Sequence, residues 1–470
     1  MNARPLIAGT DLAAPLAWVQ GRPISRARYL ADVARLAEQL PAGAHLLNLS
    51  GDRYRFAVGL GAALQRGQDN LLPPNHTPDM LARLHALFPG TYVIADEDAG
   101  APAHPMAPRV GVVHPVRWPD PSTPPTQAQA GNVTPAMPMI ADSAVAAQVL
   151  TSGSTGAPLP HPKRWDLLWR NTEAGVARLA GALGRADLNG AAIVATVPGQ
   201  HMYGFESSVL VALLGGAAFD AARPFYPADI AAALARVPRP RLLVTTPLHL
   251  RTLLDAGVPV PALDLMVCAT APLAPQLAAR AEASLGAPLL EIYGCTEAGQ
   301  VATRRTTAGA EWRTYDGVQT TQDGETTIVS GGHVPVPTPL ADVIERIDAT
   351  RFRLLGRAND LINVAGKRSS LSHLNFHLNT IDGVQDGVFW LPPAEAASAV
   401  ARLVAFVVAP GLTRERILAA LRERVDAAFL PRRIVWLDTL PRDPTGKLPS
   451  ARLAALAAGL LDAPDAAARR

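Results

Sequence analysis

The chain has 470 residues and only two cysteines, Cys268 and Cys295. At most one bridge could form, which excludes a disulfide framework of the kind that staples small secreted domains and makes a reducing cytoplasm the expected compartment. Charge of one sign is equally scarce. The 43 Lys plus Arg against 40 Asp plus Glu leave a formal net charge of +3, with no block of like charge. So weak a field gathers no polyanion, and nucleic acid is not expected as a partner. Long hydrophobic runs are missing too. The longest uncharged apolar stretch, Val209 to Phe219, falls short of the roughly 18 to 20 residues that cross a bilayer, so no integral membrane segment is expected. At the N-terminus Arg4 is followed by an apolar stretch that Asp11 interrupts, poor material for a signal peptide.

What is present is a large apolar fraction, 49%, on a chain long enough for more than one folding unit. Helix-patterned, alanine-rich segments such as RARYLADVARLAEQL from Arg26 alternate with short apolar runs: HLLNLS from His45, AAIVATVP from Ala191, RLLVTTP from Arg241 and LDLMVCAT from Leu263. This alternation predicts an α/β fold with buried, largely parallel strands. Between about Asp96 and Met139, repeated prolines, among them Pro102, Pro105, Pro108, Pro115, Pro119 and Pro121, remove backbone donors and predict a loop-rich connection, with one short strand at RVGVV. A second change near Gly356 predicts a large N-terminal domain of layered α/β subdomains over 1–355 and a smaller α+β C-terminal domain over 356–470.

The segment QVLTSGSTGAPLPHPKRW, Gln148 to Trp165, runs an apolar strand into Thr151, Ser152, Gly153, Ser154, Thr155 and Gly156. Small residues let the backbone approach a ligand closely, and hydroxyls with turn-oriented N–H groups donate to phosphate oxygens. The nucleotide P-loop G-x-x-x-x-G-K-[ST], the G-x-G-x-x-G of dinucleotide folds and the G-x-S-x-G of hydrolases do not occur. Behind this loop come, in order, EIYGCTEAG (Glu291 to Gly299), LLGRANDLINVAGKR (Leu354 to Arg368) and LPRDPTGKLPS (Leu440 to Ser450).

In these four ordered motifs the chain resembles the adenylate-forming superfamily of acyl-CoA synthetases, aryl-acid ligases and nonribosomal-peptide adenylation domains, over nearly its whole length. The resemblance implies two steps. A carboxylate attacks the α-phosphate of ATP to give acyl-adenylate and pyrophosphate, and a thiol of CoA or of an acyl carrier protein then displaces AMP. It also implies that the C-terminal domain is mobile, rotating about a hinge at Asn359 between the two steps.

Residue by residue, the resemblance implies that Thr151 to Gly156 cradle the β- and γ-phosphates. A lysine often follows the loop's proline in that family. Here Pro158 is followed by Leu159, and Lys163 is the candidate substitute. Thr296 would offer its hydroxyl to the α-phosphate and Glu297 a hard oxygen to Mg²⁺, which usually binds through one or two carboxylates and substrate phosphates. Tyr293 and Ala271 would flank the adenine, and Asp342 and Arg357 would hold the ribose and phosphate. A carboxylate suits the ribose because, when ionised, it only accepts hydrogen bonds. Lys447 would place an ammonium beside the charge that develops during adenylation. The acid pocket would be lined by His201, Tyr203, Phe205, Ala269 and Gly294, with His201 next to the reacting carboxylate. Cys268 reads as a small buried hydrophobe. His373 and His377 could share a helical face but lack the glutamate of H-E-x-x-H and a third ligand.

The QHMYGFE and GKRSSL segments resemble bacterial synthetases of the aryl-polyene and xanthomonadin type, which implies an aromatic acid such as 4-hydroxybenzoate. Two alternatives stay open: a medium- or long-chain fatty acyl-CoA synthetase, and a non-catalytic nucleotide-binding module on the same fold.

Overall fold

Local signals start and stop the elements. Helix Arg26–Ala37 begins where the Ser25 side chain accepts the N–H of Arg28. Helices Arg53–Gln65 and Pro78–Leu87 begin in the same way at Asp52 and Thr77. In the computed structural model these elements assemble into layers, described for residues 2–96, 114–118, 136–151, 159–324, 326–357, 361–364, 367–392, 402–442 and 448–461. The strand expected at RVGVV lies outside the described residues.

An eleven-stranded sheet forms the centre. Its strands run in the order Asp342–Arg346, Arg351–Arg357, Glu311–Thr314, Gly299–Arg304, Leu289–Cys295, Leu265–Cys268, Arg241–Thr245, Ala192–Ala195, Ala218–Asp220, Pro15–Val19 and Arg22–Ser25. The middle is parallel, as the buried apolar runs predict. Both flanks are antiparallel. Of those flanking strands RFRLLG, from Arg351, reads as a strand in the sequence, whereas Glu311–Thr314 and Asp342–Arg346 do not because they carry polar and charged residues. A second sheet holds Thr91–Ile94, His45–Asn48, Asp69–Leu72 and Val145–Thr151 in parallel, closed by the antiparallel strand Leu159–Arg164.

The largest buried cluster joins the two sheets, with Trp165, Phe56, Phe205, Phe219 and Tyr54 among its side chains. Residues beyond 361 build clusters of their own around Leu374, Phe389, Phe406 and Ile417. Their three-stranded sheet comprises Asp386–Trp390, Val404–Val408 and Arg433–Trp436. Among the described residues no helix is long and apolar enough to cross a membrane.

One buried arginine ties the two layers together where the parallel strands end. Arg53 opens its helix in the second layer and reaches across to the central sheet. Its Nε donates to Ser208 Oγ at 3.1 Å, Nη1 to the carbonyls of Asp220 and Ala222 at 3.3 and 3.1 Å, and Nη2 to those of Ala195 and Val197 at 3.3 and 2.5 Å. The loops that follow these strand ends are where an open α/β sheet builds its ligand site.

Candidate active site

Strand Leu159–Arg164 returns antiparallel to Val145–Thr151, with Thr151 opposite Leu159, Val149 opposite His161 and Ala147 opposite Lys163. The hairpin therefore brings together the two ends of the Gly/Ser/Thr loop; Ser152, Gly153, Ser154, Thr155 and Gly156 themselves lie outside the described residues. His161 and Lys163 are two apart and share one strand face. His161 Nε2 is 3.2 Å from Thr151 Oγ1 and 4.0 Å from Glu297 Oε1. Lys163 Nζ donates to the carbonyl of Thr296 and, at 3.3 Å, to that of Glu297. Thr151, Lys163, Thr296 and Glu297, all singled out in the sequence, thus meet at one place, and His161 joins them.

The turn that carries Thr296 and Glu297 connects strands Leu289–Cys295 and Gly299–Arg304, with Cys295 paired to Gly299. Gly299 has φ +79°, the left-handed conformation that closes a three-residue hairpin loop. A Cβ there would lie 2.9 Å from Glu206 Oε1 and 3.3 Å from Asn171 Nδ2, two buried and hydrogen-bonded side chains with little room to retreat. Gly299→Ala is expected to cost about 1–3 kcal/mol of stability, read as a lower denaturation midpoint.

On the strand that leads into this turn, the Tyr293 hydroxyl donates to Asp342 Oδ2 at 2.6 Å. Its ring packs against Trp312 and Phe352, each at a centroid distance of 5.7 Å. Arg357 stands opposite Asp342 in the strand register. Tyr293, Asp342 and Arg357 therefore share one corner, next to the turn. Asn359 and Lys447 lie outside the described residues.

Among the residues expected to line the acid pocket, His201 precedes a short helix, Met202–Gly204, that passes into a π-helix, Phe205–Leu210. Tyr203 is buried and fixed, since its hydroxyl faces the carbonyls of Thr245 and Val267 at 3.1 and 2.9 Å. Phe205 is corrected from a pocket residue to a core residue. It is fully buried and lies edge-on to Phe56 at 6.3 Å, because the π-helix turns it into the layer between the sheets. Ala269 and Ala271 flank Thr270, whose φ of +83° is rare for a β-branched side chain and marks the bend after strand Leu265–Cys268. Gly294 is exposed at the end of the neighbouring strand. Cys268 is fully buried.

Behind the turn lies a polar network that the sequence reading missed. Asn171 Nδ2 donates to the buried Glu206 carboxylate. Gln300 Nε2 donates to Ser207 Oγ at 3.0 Å, Tyr315 donates to Gln300 Oε1 at 2.9 Å, and His333 Nε2 lies 2.8 Å from the Gln300 carbonyl. Burial pushes Glu206 up to about 7, against the pull of Lys163 and Asn171. The available signal was one carboxylate at the head of the otherwise uncharged run FESSVLVALL.

Burial likewise holds His333 down to about 4, against the usual 6.5. Below pH 6.5 the unfolded chain takes up a proton that the folded chain refuses until about 4. The stability contributed by neutral His333 is therefore full above 6.5 and is lost as the pH falls towards 4. His333→Gln should flatten that loss by about 2–3 kcal/mol relative to the parent, read by denaturation at a series of pH values. His249 titrates in the same direction as His333, while Glu206 and Asp220 act oppositely, so the difference between the two proteins is the quantity to compare.

No group of three or more His, Cys, Asp or Glu able to hold a metal occurs among the described residues. His373 and His377 pack ring against ring at 4.5 Å, and His377 also packs against Phe376. Glu297 is different. Its side chain is 47% exposed at the lip of the turn, which suits a cation held by one carboxylate and a polyphosphate.

A profile described as AMP-binding enzyme matches residues 41–339. The chain belongs to the AMP-binding enzyme family. It is an AMP-forming acid–thiol ligase that uses ATP to activate a carboxylic acid as an acyl-adenylate. Similar curated proteins include a 4-coumarate–CoA ligase of Rhodobacter capsulatus, 30% identical over 279 residues that cover 59% of this chain and 67% of that one. Another, from Halorhodospira halophila, is 30% identical over 316 residues, 63% of this chain and 73% of its own. The fold matches the anthranilate CoA ligase AuaEII in complex with anthranoyl-AMP, at a TM-score of 0.78 and 14% identity over 97% of this chain and 99% of that one. It also matches ATP-bound MatB from Rhodopseudomonas palustris, at 0.76 and 20% over 96% and 97%. The family match spans the Gly/Ser/Thr loop, the Thr296–Glu297 turn and the strand after it, so the meeting of Thr151, His161 and Lys163 with that turn falls within the matched region, while Asp342 and Arg357 lie beyond its end.

Proposed function

We propose that this ligase activates an aromatic acid of the 4-hydroxybenzoate kind and passes it to the phosphopantetheine thiol of CoA or of an acyl carrier protein. The observation that carries the reading is the meeting of Thr151, His161 and Lys163 with Thr296 and Glu297, one turn away from Tyr293 and Asp342. A hydroxyl, a carboxylate and the ends of a small-residue loop converge there. That is the set of groups an ATP triphosphate with Mg²⁺ requires.

In this reading the loop from Thr151 to Gly156 binds the β- and γ-phosphates, and the Thr296 hydroxyl donates to the α-phosphate. Glu297 ligates Mg²⁺, which would supply charge neutralisation as two anions approach. Asp342 accepts from the ribose hydroxyls, with Arg357 alongside, while Tyr293 and Ala271 border the adenine. His201, Tyr203, Ala269 and Gly294 enclose the acid. Lys447 acts during adenylation. The chain works as a large domain over 1–355 and a lid over 356–470 that turns about Asn359, a recognised way to run two half-reactions in one cleft. The names of the two 4-coumarate–CoA ligases, whose acid is aromatic, support the aromatic choice over a fatty acid.

Pyrophosphate exchange into ATP, measured across aromatic and aliphatic acids, tests the substrate. 4-Hydroxybenzoate and cinnamate-like acids are expected to outcompete octanoate. A preference for octanoate would overturn the aromatic reading in favour of a fatty acyl-CoA synthetase. Mass spectrometry of the product, with CoA and a carrier protein offered together, identifies the acceptor.

A further inference from the structure

We propose that Lys163 is a positioning residue that staples the Thr296–Glu297 turn, its ammonium holding two consecutive backbone carbonyls so that the Thr296 hydroxyl and the Glu297 carboxylate face the nucleotide. The inference deepens the reading above and rests on it for the role of Glu297. It gives Lys163 a task other than contacting the triphosphate in place of a loop lysine.

Three observations carry it. An ammonium has three donors, and two of those on Lys163 go to the carbonyls of Thr296 and Glu297. Strand geometry then separates Lys163 from the loop. It lies four residues beyond Leu159, and at about 3.3 Å per residue the backbone has moved about 13 Å away from the loop's end. The glycine that ends the same turn is backed by Glu206, which stands 2.9 Å from where a Cβ on Gly299 would lie and is held by Asn171. The turn is therefore held at two points, by a cation on its carbonyls and by a fixed carboxylate behind its glycine. Lys163 also spans the two layers, since its strand belongs to the second sheet and the turn to the central one.

A staple and a phosphate ligand predict different things. If Lys163 orders the turn, Lys163→Met should speed amide hydrogen exchange in peptides covering residues 293–301 by about tenfold or more in the ligand-free protein, leaving the other peptides unchanged. Lys163→Arg, which keeps donors at the same place, should restore most of that protection. By calorimetry, the magnesium concentration that half-saturates the enhancement of ATP binding should rise by about 10-fold or more in Lys163→Met, the range seen when a partner that orients a metal ligand is removed. Lys163→Met/Glu297→Gln should be little worse than Glu297→Gln alone, because both changes disable the same contact.

Unchanged exchange in the turn would overturn the proposal. So would an equal loss of ATP affinity with and without magnesium, or strictly additive effects in the double variant. Should Lys163→Met melt early, Lys163→Gln carries the same comparisons. If Glu297→Gln leaves the magnesium dependence untouched, the metal assignment fails and hydrogen exchange alone decides the staple. A protein inactive with every acid would likewise sink the proposed substrate and leave the exchange result standing.

Discussion

Lys447→Ala is expected to slow formation of the acyl-adenylate by about two to three orders of magnitude, while transfer from preformed adenylate to the thiol keeps most of its rate. When the acid attacks the α-phosphate, negative charge crowds onto the oxygens between carbonyl carbon and phosphorus. An ammonium poised there stabilises the transition state more than either separated reactant. The Thr445–Gly446–Lys447 segment lies outside the described residues, but both of its flanks are anchored. On one side Arg442 forms a two-pronged pair with Asp386, both contacts at 2.7 Å, which ties the chain to strand Asp386–Trp390. On the other, helix Ser450–Leu461 begins and packs Leu453 and Leu456 against the same sheet. Single-turnover measurements of the two half-reactions separate the effects. Equal damage to both would remove Lys447 from the adenylation step.

The second large effect is on stability. Arg53→Ala is expected to cost about 3–5 kcal/mol, because four backbone carbonyls and the Ser208 hydroxyl are left in a buried space without their donor. Burial already lowers the guanidinium to about 10, so the group is held in place by its hydrogen bonds at a real desolvation cost. Arg53→Lys should recover little, since one compact ammonium cannot span the ends of two strands and a helix as the planar fork does. Chemical denaturation followed by tryptophan fluorescence gives the magnitude, and a loss below about 1 kcal/mol would show that water replaces the fork.

The parallel centre of the large sheet was legible from the sequence because its strands are short apolar runs. Arg241–Thr245 and Leu265–Cys268 announce themselves in that way. The antiparallel flank was less so, since Glu311–Thr314 is mostly polar and pairs with Arg351–Arg357, far along the chain. The site divides along the same line. Thr296 and Glu297 stand in a motif whose order and wording carry a family resemblance, and Asp342 falls between that motif and the next. His161 and Glu206 lie inside quoted segments but were given no role there, and only the folded chain places them at the turn. Phe205 misled because an aromatic near a glycine looks the same in sequence whether it lines a pocket or packs a core, and the π-helix decides.

The strand Leu159–Arg164 has a consequence for which changes of length the chain tolerates. Its face alternates every residue, with His161 and Lys163 turned toward the turn and Pro160, Pro162 and Arg164 toward the other side. A single-residue insertion or deletion between Pro158 and His161 would exchange the two sets and present prolines, which offer no donor, where the turn needs an imidazole and an ammonium. A two-residue change would keep the correct face but shift both groups by about 7 Å along the sheet. The length of this connection is therefore fixed as firmly as the identity of its residues, although it reads as an unremarkable proline-rich stretch beside a loop where variation would ordinarily be harmless.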